Sequence, residues 1–125
     1  MLSLVGKELK QLKEKHIANA TETQHLDVSF NLLTSGIEFR PFTCLVTLII
    51  DDNNFSTLTE FPHFKALETF SANKNNFSDL SQFLNEATDR FGRLKNLSLL
   101  KNPLNPFFEG EEKYNIYRDQ ILLRL

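Results

Sequence analysis

The feature that most constrains how this 125-residue chain folds is an internal repeat with a period of about 22 residues. The clearest unit begins at Leu45 and has apolar residues at its first, fourth and sixth positions and an asparagine, Asn53, at its ninth. Matching units lie one period earlier and one period later, and a further one follows after another period and an insertion of five. A degenerate copy at the start has Leu2 and Leu4, with Lys7 in place of the asparagine. Because one such unit cannot bury its own apolar residues, stacked units must form the core.

Each unit predicts a short strand, a turn and a return segment. The apolar positions alternate in the strand, whereas after Asn53 they recur every three residues, through Phe55, Leu58, Phe61 and Phe64. The first spacing is typical of a strand and the second of a 3₁₀ or short helical segment. An asparagine amide both donates and accepts, so we expect the amides at the strand ends to bond backbone groups of their own unit and of a neighbouring one. These asparagines are Asn31, Asn53, Asn75 and Asn102.

The pattern L-x-x-L-x-L-x-x-N at this period is that of leucine-rich repeats. It predicts an α/β fold for a single domain over residues 1–125. The expected architecture is a right-handed solenoid of about five coils, with a parallel concave sheet and a 3₁₀ or short helical convex side. The coils are expected to start near residues 2, 23, 45, 67 and 94.

Three further segments are predicted to be helical. The insertion fits an amphipathic helix with Ser78 or Asp79 as its N-cap. The C-terminal segment 103–125 contains a helical pattern that would cap the last coil. Residues 6–16 are compatible with a helix that covers the first coil.

Charge and cysteine content limit the partners and the cellular compartment that we expect for the chain. Fourteen basic and sixteen acidic residues give a formal charge of −2, so the chain has no overall electrostatic attraction to nucleic acid. Cys44 is the single cysteine, which excludes an internal disulfide and favours a reducing, cytoplasmic location. The sequence has no apolar run long enough to span a membrane, and we expect no membrane insertion.

Motifs of catalysis are missing from the sequence. It has no Walker A, dinucleotide-binding, serine-hydrolase or zinc-protease motif, and its four glycines leave little material for a phosphate-binding loop. His16, His25 and His63 lie on different kinds of segment, with no spacing typical of a zinc site. We therefore predict that the chain is not an enzyme and has no cofactor and no metal.

A partner-binding surface follows from the strand register. Residues next to the core leucines point to the opposite side of the sheet, because successive residues of a strand alternate. Phe30 and Ile49 are expected to be exposed there beside each other as anchors for a partner, the alternative being ordinary scattered surface apolar residues. Acidic residues in the first half and lysines in the second either orient a partner or form a mixed solvated surface. The predicted protein-binding residues are His25, Asp27, Phe30, Thr47, Ile49, Asp51, Asp52, Ser71, Asn73, Lys74, Leu100 and Lys101.

Several stretches resemble known repeat proteins. Tyr114-Asn-Ile-Tyr117-Arg118 is similar to the tyrosine-containing cap of the SDS22-like class of leucine-rich repeats. Within that class, LDVSFNLL, LIIDDNNF, KNLSLLKNP and EGEEKYNIYRDQILLRL resemble the leucine-rich melanocyte differentiation-associated family over nearly the whole chain. Cap helices of this family normally continue into a P-x-L-x-x-L-D segment and a further tail, whereas this sequence stops at Leu125.

The resemblance implies a non-catalytic protein–protein interaction adaptor or scaffold in melanosome or endosomal trafficking, with a Rab-type small GTPase as partner. Two other functions stay open for proteins with this repeat. One is a ribonucleoprotein assembly module similar to the spliceosomal leucine-rich protein, for which an RNA-binding partner would co-purify. The other is an axonemal or microtubule-associated light chain, for which a motor heavy chain would co-purify.

Overall fold

The structure is a computed structural model that describes residues 1–105, and the cap helix predicted further along lies outside the described residues. It is α/β, with a five-stranded parallel sheet and few helices. Each strand pairs with the next one along the chain. Among the described residues, no helix has the length and apolar character needed to cross a membrane. The strands are β1 (Leu2–Ser3), β2 (His25–Asp27), β3 (Thr47–Ile49), β4 (Thr69–Ser71) and β5 (Asn96–Ser98).

The strands pair in the register that the sequence repeat predicts. Leu26 lies opposite Leu2 on one side and opposite Leu48 on the other. Phe70 in turn lies opposite Leu48 and Leu97. The five residues inserted before β5 therefore fall outside the sheet, and the alignment of units made from the sequence is confirmed.

The longest helix occupies the insertion, as the sequence predicts. Helix α1 spans Leu80–Arg90, and the Asp79 side chain caps it by accepting a hydrogen bond from the Gln82 N–H at 3.0 Å. One face of α1 is buried through Phe83, Leu84 and Ala87. Shorter 3₁₀ helices are Glu14–His16 and Ala20–Glu22 between β1 and β2, and Gly36–Phe39 between β2 and β3.

The helix predicted over residues 6–16 is wrong, because only Glu14–His16 is helical there. The Leu9 N–H donates to Asn31 Oδ1 at 2.9 Å, and the Leu9 carbonyl accepts from the Leu32 N–H at 2.7 Å. With both backbone groups bonded to the next unit, Leu9 has none left for a helix. The segment instead follows the neighbouring unit, and Leu9 packs half-buried against the core.

The connection between β3 and β4 also differs from the expected helical return, since residues 50–68 contain turns but no helix. Pro62 has no N–H with which to continue a helical turn. Arg90, at the end of α1, bonds this segment instead. Its Nη2 donates to the Thr59 carbonyl at 3.0 Å and its Nε to the Phe61 carbonyl at 3.2 Å.

Aromatic side chains form the middle of the core. The Phe61 ring is central, with ring centroids of Phe55 at 5.4 Å, Phe39 at 5.5 Å, Phe70 at 6.0 Å and Phe91 at 6.3 Å. All of these rings are buried, and the buried apolar residues of the described chain belong to one cluster. The phenylalanines at three-residue spacing are therefore core residues.

Candidate protein-binding face

The two sides of the sheet differ in burial. Leu26, Leu48 and Phe70 are buried against the core, whereas Asp27 and Ile49, next to them in sequence, are half-buried on the other side. We call this second side the open face, together with the outward-facing residues that follow each strand up to the position before the strand-end asparagine. It contains the predicted residues His25, Asp27, Phe30, Thr47, Ile49, Asp51, Asp52, Ser71, Asn73, Lys74, Leu100 and Lys101.

Polar side chains of the open face bond to one another across the last three strands. Asp51 Oδ1 accepts from the Ser71 hydroxyl at 2.7 Å and from the Asn73 N–H at 2.9 Å. One unit further on, Asn73 Oδ1 accepts from the Ser98 hydroxyl and from the Leu100 N–H, both at 2.7 Å. Each acceptor thus reaches the next unit at the same repeat position, which ties the units together and satisfies these groups within the chain.

In the second unit the position of Asp51 and Asn73 is occupied by Ser29, which donates instead of accepting. Asp27 Oδ1 accepts from the hydroxyl of Ser29 at 2.6 Å and from its N–H at 2.9 Å, all within one unit. Ser29, which the strand register alone would place on the surface, is only 5% exposed. The position that is serine in β4 and β5 is Ile49 in β3, which has no hydroxyl to donate. His25 Nδ1 and the Thr47 hydroxyl are hydrogen-bonded at 2.9 Å.

A left-handed residue precedes the strand-end asparagine position in every unit. The backbone φ angles are +66° at Gly6, +58° at Phe30, +54° at Asp52, +54° at Lys74 and +58° at Lys101. Only glycine adopts this conformation without strain, and a phenylalanine there is unusual. The sequence offers one signal for it, a glycine in the first unit and an aspartate in the third at the same repeat position.

The most exposed apolar residues of the open face are Phe30 and Leu100, and Val5 of the first unit is also exposed. Phe30 is 56% exposed and Leu100 is 49% exposed. The expectation that Ile49 is exposed is wrong, because β3 has a paired strand on each side and Asp27 and Ser71 lie directly opposite Ile49. The sequence also missed Leu32, which is 42% exposed beyond the turn that contains Phe30.

Charges on the open face are divided between those that are bonded and those that are free. The carboxylates of Asp27 and Asp51 accept the hydrogen bonds just described. Asp52, Lys74 and Lys101 occupy the same place in three successive units, and within residues 1–105 none of them forms an ion pair. At this repeat position, an acidic residue is therefore followed by two basic residues along the edge of the open face.

A surface cavity of about 350 Å³ lies between β4 and β5. Thr69, Ser71, Asn96 and Ser98 line it from the two strands, and Lys95 lines it from the preceding loop. Asn96 Nδ2 donates to the Thr69 hydroxyl at 3.2 Å. Lys95 precedes β5, so strand alternation, which predicts the side on which the other lining residues lie, does not predict the position of Lys95.

The strand-end asparagines are buried beneath the edge of the open face and hold successive units in place. The Asn53 amide donates to the carbonyls of Val28, Ile50 and Asp51 at 3.0, 3.1 and 3.2 Å. Its Oδ1 accepts from the Leu33 N–H at 3.0 Å. Bonds of the same kind are made by Asn31, Asn75 and Asn102.

Replacing Phe30 with glycine is expected to raise the free energy of unfolding by about 1 kcal/mol, because glycine removes the left-handed strain and the exposed ring contributes little burial. Leu32→Gly is the matched control, since Leu32 is similarly exposed but does not have a positive φ. That control is expected to lower the same free energy by about 0.5–1 kcal/mol. Urea titration followed by circular dichroism measures both. Equal losses of stability for the two variants would contradict the strain at Phe30.

Within residues 1–105, no group of three or more histidine, cysteine, aspartate or glutamate side chains is placed to hold a metal ion. Cys44 is a free, exposed thiol. Comparison of the chain with protein-family models, with curated proteins and with solved structures finds no match.

Proposed function

We propose that this chain is a leucine-rich-repeat solenoid of the SDS22-like class and acts as a non-catalytic adaptor that binds a protein partner through the open face. The repeat supports the fold assignment for two reasons. Residues at the same repeat position lie opposite one another in the sheet, and the asparagines form hydrogen bonds to successive units. A stacked repeat presents its sheet as a continuous surface, which is how such proteins bind extended partners.

The observation that carries the proposal is an exposed aromatic ring on a surface where Asp27, Asp51 and Asn73 already accept hydrogen bonds within the chain. Phe30 is 56% exposed and is held in a backbone conformation that strains it. Burying a phenylalanine in an interface is strongly favourable. A partner that covers Asp51 Oδ1 and Asn73 Oδ1 would meet two oxygens that already accept hydrogen bonds within the sheet.

The free charges give the partner an orientation. Asp52 lies in the unit next to Phe30, and Lys74 and Lys101 follow in the two units after it. A partner with basic groups toward the first unit and acidic groups toward the last would meet complementary charge. Following the resemblance, we propose a Rab-type small GTPase as that partner, in melanosome or endosomal trafficking on the cytoplasmic side.

Capture from a cytosolic extract tests the adaptor role. The immobilised chain is incubated with a GTP analogue or with GDP, and bound proteins are identified by mass spectrometry. We expect the wild type to capture a small GTPase with the GTP analogue, and Phe30→Asp, Leu100→Asp to capture at least about tenfold less. Aspartate is tolerated at residue 30, because Asp52 holds the same conformation at that repeat position.

The matched control for this capture is Ile37→Asp. Ile37 is 38% exposed on the 3₁₀ helix Gly36–Phe39, outside the open face. Its variant is expected to capture as much as the wild type, and circular dichroism checks that all three proteins fold. Equal capture by the open-face variant would remove the open face as the binding site. An RNA-binding protein or a motor heavy chain in place of a GTPase would favour the ribonucleoprotein or the light-chain function.

A further inference from the structure

A second candidate binding site lies away from the open face, on the loop after β1. A surface pocket of about 490 Å³ is lined by Leu4, Lys7, Leu9, Lys13, Lys15 and His16. Two leucines and three lysines with a histidine therefore share one concavity. Its volume falls within the usual range for small-molecule sites.

Positive charge is concentrated on this loop. Residues 7–16 contain four lysines and two glutamates, an excess of two positive charges in a chain whose formal total is −2. Within residues 1–105, none of the lysines that line the pocket forms an ion pair. The pKa of His16 is lowered by burial and further by the charges of Lys15, Lys13 and Lys7. The three lysine charges thus act on the same point of the pocket.

The backbone of the loop is fixed by the next unit rather than by its own helix. The N–H groups of Lys7 and Leu9 both donate to Asn31 Oδ1, at 3.1 and 2.9 Å. The Leu12 N–H donates to a carboxylate oxygen of Glu38 at 2.6 Å. Because the pocket is built on these long-range bonds, a ligand would meet a surface that is already shaped.

His16 has a defined hydrogen-bonding role in this pocket. The Lys13 backbone N–H donates to His16 Nδ1 at 2.9 Å, and the His16 backbone N–H donates to the Lys13 carbonyl at 2.8 Å. A ring nitrogen that accepts carries no proton, so in the neutral ring the proton is on Nε2. Nε2 therefore supplies an N–H donor among the lysine side chains.

We propose that this pocket binds phosphate groups carried on a compact polyol, of which an inositol phosphate is the model ligand. Lysine ammonium groups are point charges suited to phosphate oxygens, and the Nε2–H of His16 adds a directed donor. Leu4 and Leu9 give the carbon ring an apolar floor. The site shares no residue with the open face, so the proposal for this pocket does not depend on the adaptor proposal.

Titration of the full chain with myo-inositol hexakisphosphate, followed by NMR of the His16 ring, tests the site. In the free chain the His16 pKa is expected below the ordinary value of a histidine, because of burial and the charges of Lys15, Lys13 and Lys7. On saturation it is expected to rise, because the ligand's negative charge offsets the lysines. Binding should weaken as salt increases. The variant Lys13→Ala, Lys15→Ala is expected to lose at least about tenfold in affinity.

Lys10→Ala is the matched control, since Lys10 lies on the same loop but does not line the pocket. It is expected to bind within about twofold of the wild type, as for a screened surface charge. An equal loss with Lys10→Ala, or no shift of the His16 pKa at saturating ligand, would overturn the proposal.

A second arm distinguishes the source of the phosphate groups. Vesicles of phosphatidylcholine with and without phosphatidylinositol bisphosphate are sedimented with the chain. Sedimentation with the bisphosphate vesicles, competed by the soluble ligand, assigns the site to a lipid headgroup. Binding of the soluble ligand without sedimentation assigns it to a free polyol phosphate. Failure in both arms removes the pocket as a site and leaves the open-face test unaffected.

Discussion

Replacing Phe61 with alanine is expected to lower the free energy of unfolding by about 4 kcal/mol. The ring is 3% exposed and lies at 5.4–6.3 Å from four other phenylalanine rings, centroid to centroid. Its removal leaves a cavity between three units that the surrounding rings cannot fill without leaving their own positions. Urea titration followed by circular dichroism measures the loss.

Gly36 provides the control for this prediction. A Cβ at residue 36 would overlap the Phe61 ring, so Gly36→Ala is expected to be destabilising in the wild type. In the Phe61→Ala background the same change is expected to cost little, because the ring is gone. Additive losses in the double variant would contradict the packing of Phe61 against Gly36.

Replacing Asn53 with alanine is expected to lower the free energy of unfolding by about 3 kcal/mol. The change removes the donors to three carbonyls and the acceptor for the Leu33 N–H, in a side chain that is 5% exposed. Each buried group left without a partner costs about 1–3 kcal/mol, and partial rehydration at the surface limits the total. Thermal or urea unfolding measures the loss.

Two further variants separate hydrogen bonding from shape at this position. Asn53→Asp keeps the size of the side chain but has no donor for the three carbonyls, so it is expected to destabilise at least as much as alanine. Asn54→Ala changes the adjacent, exposed asparagine and is expected to alter stability by less than about 0.5 kcal/mol. Retention of stability by Asn53→Asp would contradict the role assigned to the amide donors.

The sheet was predictable because the spacing of the apolar residues determines its register. Leu26, Leu48, Phe70 and Leu97 lie opposite one another in the structure, and the same residues share one position of the sequence repeat. A shift of one residue would turn the core residues outward, so the pattern leaves one choice. The helix in the insertion was predictable for a similar reason, since Asp79 is an N-cap residue placed before an amphipathic segment.

What the sequence could not give are contacts between units that no local pattern encodes. Arg90 bonds carbonyls that lie 29 and 31 residues earlier in the chain. Asn31 bonds the loop of the preceding unit, where helical periodicity at Leu9 predicted a helix instead. A tertiary hydrogen bond outweighs helix propensity in a short segment, because an isolated helix of that length is marginal.

The open face was predictable in position but not in which of its residues are available. Strand alternation gives the side on which Asp27, Ile49 and Ser71 lie. It does not give the bonds of Asp51 to the next unit, the burial of Ser29 or the positive φ at Phe30. The bonds of Asp51 depend on the residues of the next unit, and the other two features depend on the turn that follows each strand, so strand alternation alone does not predict them.

The most direct test of the proposed role is the dissociation constant of the captured partner, measured by isothermal titration with purified proteins. The open-face account predicts that Phe30→Asp weakens binding by about tenfold or more, whereas Ile37→Asp binds as the wild type does. Equal affinities for the wild type and Phe30→Asp, with both proteins folded, would contradict the claim that the open face binds the partner.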